Sequence, residues 1–127
     1  MTSAHSLKIK VQIFCGDEIA MGPGKADLLE AIKTEGSISG AGRKLGISYR
    51  RTWLLVDVMN RCWAQPLVGT AAGGSHGGGA QITALGESVL THYRALQAAG
   101  CALDQGGDWQ ALAPTLRSEP KAAQSDP

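Results

Sequence analysis

Two serines, each just ahead of a helix-forming run, with a glycine between the runs, constrain this chain more than any other feature. Ser37 can accept a backbone N–H as the N-cap of a short helix reaching about Leu45. Gly46 then supplies a left-handed or tight turn, and Ser48 can cap a longer helix that runs to about Trp63 and closes before Pro66. Two capped helices separated by a turn of about three residues are the sequence form of a helix-turn-helix. Ahead of them, Pro23 suits the first turn of a helix, and Leu28, Leu29 and Ile32 recur on one face until Gly36 stops it.

Short strands flank these helices. Leu7, Ile9, Val11 and Ile13 alternate with polar residues, the period of a strand with one buried face, and Ile19 to Met21 pairs back across a turn at Cys15 to Glu18. After Pro66, Leu67 and Val68, then the Gly73 to Gly79 stretch, then Gln81 to Thr83 make a β-hairpin around a glycine loop, here a wing. Thr83 can cap a last helix over residues 84–99, whose apolar stripe is Leu85, Val89, Tyr93 and Leu96. The expected fold is mainly α with a small β component, a winged helix-turn-helix with a C-terminal dimerisation helix, over residues 1–99. Residues 100–127 read as an acidic, Pro- and Ala-rich, largely flexible tail with Trp109 and Leu112 as its sizeable anchors, structureless past about Pro114.

The net charge of +1 is smaller than the excess expected of a phosphate-binding protein, but its distribution is uneven. Arg43, Lys44, Arg50, Arg51 and Arg61 face one acid, Asp57, whereas past Gly100 the acids Asp104, Asp108, Glu119 and Asp126 outnumber Arg117 and Lys121. The 3 cysteines, Cys15, Cys62 and Cys101, are odd in number and lack a CxxC pair, which argues against a disulfide framework and a zinc site. Apolar runs are too short to span a bilayer and the N-terminus lacks a secretory block, so the expected location is the cytoplasm, with no membrane partner. His5, His76 and His92 share no metal-ligand spacing, and no nucleophile or carboxylate sits beside a histidine in a catalytic pattern. No enzyme, metal or cofactor is expected. The glycine stretch is not a nucleotide-binding loop either, because no Lys-Ser/Thr pair opens a helix after it.

At 100° per residue, Ser48, Thr52, Leu55, Val56, Met59 and Trp63 fall on one side of the third helix, which is its expected buried face. Arg50, Leu54, Asp57 and Arg61 lie opposite, with Arg51 and Trp53 on the flanks. Such a face fits the major groove of double-stranded DNA. Arg50 is the candidate base reader, because a guanidinium can bond guanine O6 and N7 together, while Arg51 and Arg61 suit phosphates. Ser48 and Tyr49, and Ser37 at the start of the preceding helix, can donate to phosphate, and Ser75, His76 and Gly77 at the wing tip can approach the backbone closely. Taken alone, the arginines also fit a merely solvated face. Trp63 is expected in the core, and Trp53 is left between core and contact.

Gly36-Ser37-Ile38-Ser39, Gly46-Ile47-Ser48-Tyr49-Arg50-Arg51-Thr52-Trp53, Met59-Asn60, Leu67-Val68 and the double-glycine wing followed by Thr83 and Gly86 resemble the N-terminal domain of the ModE family of molybdate-responsive transcriptional regulators. More distantly, the chain is similar to the DNA-binding domain of LysR-type regulators. The resemblance, over Leu7 to Ala99, implies a winged helix-turn-helix that binds DNA as a homodimer. The sequence beyond Ala99 is too short for a molybdate-binding module, so molybdate sensing is not carried over and no small-molecule effector is named. No Lys or Arg lies between Arg61 and Arg94, where the family commonly places wing cations, and Gly40 and Gly42 replace the usual alanines at up to about 1 kcal/mol each of helix propensity. A second reading stays open: a winged-helix interaction module that pairs with a full-length regulator or another partner and binds DNA weakly or not at all.

Overall fold

The computed structural model describes residues 5–70 and 79–125. In chain order these form β1 (Ile13–Cys15), β2 (Glu18–Met21), α1 (Pro23–Glu35), α2 (Ile38–Leu45), α3 (Tyr49–Cys62), β3 (Val68–Thr70), β4 (Ala80–Ile82), α4 (Ala84–Cys101) and α5 (Gly107–Leu112), with 3-10 turns at Ala102–Gln105 and Ala113–Thr115. The strands make two antiparallel pairs. In β1–β2, Phe14 faces Ile19 with an irregularity beside Ile13, and in β3–β4, Val68 faces Ile82 and Thr70 faces Ala80. This is a mainly helical winged helix-turn-helix, with β3–β4 as the root of the wing. Ser75, His76 and Gly77 lie outside the described residues.

Three capping hydroxyls set the helix starts. Ser37 Oγ accepts from Gly40 N at 3.0 Å, Ser48 Oγ from Arg51 N at 3.1 Å, and Thr83 Oγ1 from Gly86 N at 3.0 Å. Gly36 and Gly46 end α1 and α2 at φ 72° and 73°, in the left-handed region where a side chain is strained. One core results. Leu28, Leu29 and Ile32 of α1, Met59 of α3, Leu67 before β3 and Met21 of β2 are completely enclosed, and Val56, Leu90 and Tyr93 join them. Trp63 is half-buried against this core and its Nε1 donates to Ala20 O at 3.1 Å, which fastens the end of α3 to β2. Burial pushes the Cys62 thiol above its usual value, so at neutral pH it stays protonated.

Three stretches differ from what the sequence leads one to expect. The N-terminal alternation produces strand pairing only from Ile13, and Leu7 and Ile9 are exposed. The backbone ahead of Ile13 finds a side chain instead of a strand: Tyr93 Oη donates to Val11 O at 2.7 Å. The apolar stripe of α4 turns inward, with Val89 and Tyr93 buried in this chain's own core and Leu85 half-buried against it. Leu96, 51% exposed, is left as the member of that stripe open to a partner. Past Gly100, where a flexible tail is expected, helical turns continue to Thr115, with Pro114 inside the last turn; Trp109 is half-buried and Leu112 exposed.

Gly42 has a packing reason that outweighs its poor helix propensity. A Cβ there would overlap Thr52 Oγ1, which is itself held by donating to Ser48 O at 2.7 Å. Gly42→Ala should therefore lower stability by about 1–3 kcal/mol through overpacking, despite alanine's propensity, as read from urea unfolding midpoints. Asn60 clips α3 to the wing: its Oδ1 accepts from Leu67 N at 2.9 Å and Val68 N at 3.0 Å, and its Nδ2 donates to Val68 O at 3.1 Å. Asn60→Ala strands three backbone groups and should cost about 2–3 kcal/mol in the same measurement.

Candidate nucleic-acid interface

The inner side of α3 is Thr52, Val56 and Met59, all buried, with Leu55 half-buried. Once that side is committed to the core, the helical period forces Arg50, Arg51, Trp53, Leu54, Asp57 and Arg61 outward, and all six are exposed. Ser48, expected on the buried side, is instead exposed, because it stands at the N-cap ahead of the first turn. Ser48 and Ser37 stand at the N-termini of α3 and α2, but their Oγ atoms accept the capping bonds. What each can still offer a phosphate is its hydroxyl proton and neighbouring N–H groups.

The arginines are not equivalent. Arg61 Nε donates to Asp57 Oδ2 at 2.8 Å, and its Nη2 lies 3.7 Å from Glu18 Oε1. The hydrogen bond and charge of Asp57 raise its pKa above the ordinary value. Its charge is already answered within the chain, which weakens its case as a phosphate contact. Arg50 and Arg51 make no ion pair among the described residues. Arg94 is likewise committed, bridging Asp27 at 2.8 Å and Glu30 at 2.9 Å to tie α4 to α1, and Lys33 to Glu87 at 3.0 Å makes a second such tie.

A cleft of about 430 Å³ brings Ser37 and Ser39 of the α2 start together with Tyr49 and Trp53 of α3 and with Thr70 and Gly79 at the wing root. The wing is hung there by Ala80 N donating to Gly36 O at 2.9 Å. Tyr49 and Trp53 meet edge to face with centroids 6.1 Å apart. Trp53, 40% exposed, belongs with the surface of α3, which resolves its position. Sequence reasoning passed over Lys25. It lies on α1, and burial lowers its pKa from the usual value, opposed by the charges of Cys62 and Glu18 and helped last by the like charge of Arg51. No signal in the linear sequence joins residues 25 and 51. Arg43 and Lys44 close α2; Lys44 bonds Thr34 Oγ1 at 3.2 Å and lies 3.9 Å from Glu35. No helix is long and apolar enough to cross a membrane, and no group of potential ligands is placed to hold a metal ion, both among the described residues.

No protein-family model matches the chain. It is 42% identical over 78 residues to the molybdenum transport protein ModE of Azotobacter vinelandii, covering 61% of this chain and 29% of that protein. It is 45% identical over 78 residues to the molybdenum-pterin-binding protein MopB of Rhodobacter capsulatus, with the same coverage of 61% and 29%. To the DNA-binding transcriptional dual regulator ModE of Escherichia coli (strain K12) it is 34% identical over 88 residues, 69% of this chain and 31% of that one. The chain spans about three tenths of the length of these curated relatives, 29–31%, and the matched part is their N-terminal part. The winged helix-turn-helix built here around α2, α3 and the β3–β4 wing is thus similar in sequence to the N-terminal part of these ModE and Mop proteins.

Proposed function

We propose that this chain is a DNA-binding transcriptional regulator, related to molybdenum regulation, that works in the cytoplasm as a homodimer. The reading is carried by one observation: Arg50 and Arg51 stand exposed and without an ion pair among the described residues, on the outer face of a helix whose inner face is locked into the core. A rigid helix with free guanidinium groups suits the major groove. Arg50 reads a guanine edge. Arg51 positions the phosphate backbone, helped by the N-termini of α2 and α3. The names of the relatives, which include transcriptional regulators and molybdenum proteins, support the same reading.

Two copies reading two half-sites about one helical turn apart would give the operator its symmetry. Since Val89 and Tyr93 are used internally, the second copy meets α4 through Leu96 and the exposed residues beside it, His92, Ala95 and Ala99. Leu96→Asp should shift the sedimentation profile from dimer towards monomer while leaving the unfolding midpoint nearly unchanged; a dimer that persists overturns this face. The interaction-module alternative is favoured by the lack of any Lys or Arg between Arg61 and Arg94, which leaves the wing without cations.

Duplex binding at two salt concentrations separates the readings. The parent should enrich specific duplexes from a random pool. Arg50→Ala should lower affinity for the enriched site by an amount worth about 1–3 kcal/mol and relax the preference at one base pair. Arg51→Ala should weaken binding to all sequences alike and reduce the salt slope by about 0.9. A parent that enriches no duplex even at low salt would sink the regulator reading in favour of the interaction module.

A further inference from the structure

The outer face of α3 is not simply cationic. Tyr49 is 64% exposed, Leu54 53% and Trp53 40%, and together with Arg50 and Asp57 they line a shallow depression of about 540 Å³. Large apolar side chains gathered on a surface mark a contact site, and this one encloses a guanidinium. Its partner must therefore offer hydrogen-bond acceptors and an apolar group within a few ångströms of each other. Asp57, held towards Arg61 at 2.8 Å, keeps phosphate away from the far side of the depression. The major groove meets this description in one way. Guanine O6 and N7 are the acceptors, and the thymine C5-methyl is the apolar group there.

Resting on the regulator reading above, we propose that Leu54, with Trp53 beside it, determines specificity by packing on thymine C5-methyl groups next to the guanine that Arg50 reads. Leu54 follows Arg50 by one helical turn, about 6 Å along the axis. At about 3.4 Å per base step, the thymine lies within about two base pairs of that guanine. The charged rim of Arg50 and Arg51 favours nucleic acid over a protein partner for this patch. The exposed position of Leu54 also means that its replacement leaves the core intact.

Deoxyuridine makes the test clean, because uracil keeps O4 and every base-pair hydrogen bond and lacks only the methyl group. A duplex enriched by the full chain from a random pool is resynthesised with deoxyuridine at each thymine in turn. Its binding is then measured for the parent and for Leu54→Ala, with circular dichroism confirming the fold of the variant. The expected result is about fourfold weaker binding by the parent for each methyl lost within two base pairs of the Arg50-dependent guanine. Leu54→Ala should bind thymine and uracil duplexes equally, at the affinity of the parent for the uracil duplex. A parent indifferent to uracil at every position, or a Leu54→Ala variant as sensitive as the parent, overturns the proposal while leaving the regulator reading in place. Failure to enrich any duplex overturns both, and is a visibly different result.

Discussion

Residue 42 has no side chain, and the backbone of α2 comes down directly on Thr52 of α3. Thr52 is a fully buried polar residue whose hydroxyl is satisfied by the Ser48 carbonyl, so the contact leaves no orphaned group. This fixes the distance between the two helices and the rotation of α3 about its own axis. With Thr52, Val56 and Met59 turned inward, nothing is left to decide about the outer face. Arg50, Arg51, Trp53 and Leu54 are exposed because the residues between them are needed inside. The interface thus follows from a packing contact on the opposite side of the helix.

The second constraint acts at the other end of α3. Asn60 takes both N–H groups at the start of β3 and returns a bond to Val68 O, while Trp63 bonds Ala20 O. One helix end is tied to both hairpins. The wing root is also held to the first turn after α1 through Ala80 and Gly36. The cleft between the α2 start, Tyr49 and the wing root therefore has three walls, each anchored to the same core. Since side chains at a groove need placement to within about half an ångström to bond base edges, this anchoring matters more than any one contact.

The elements most legible in the sequence are those marked by local chemistry. Ser37, Ser48 and Thr83 cap helices because a short hydroxyl satisfies an orphan N–H wherever the chain turns into a helix, and Gly36 and Gly46 stop them for an equally local reason. What depends on distant partners was hidden. The residues before Ile13 carry a strand's alternation, but β2 is too short to pair with them, and Tyr93 takes the Val11 carbonyl from 82 residues away. The α4 stripe is real as periodicity, yet periodicity cannot say whether it faces the chain's own core or a second copy. The pairing of Arg61 with Glu18 is hidden for the same reason.

Charge in this molecule is organised by cancellation as much as by placement. Arg61, Arg94, Lys33 and Lys44 all have carboxylates within 4 Å, and the acids past Gly100 balance part of the rest, so a net charge of +1 conceals two guanidinium groups left open on one helix. A wing without lysine or arginine adds nothing to the attraction for phosphate. On the proposed regulator reading, long-range steering is then weak, and binding energy comes from short-range complementarity on α3. A reader built this way gains little from non-specific duplex and relies on the shape, hydrogen bonds and apolar contacts of one helix. On the proposed reading, pairing of two copies has the same origin, since doubling a modest half-site energy is a route to useful affinity when the electrostatic contribution is small.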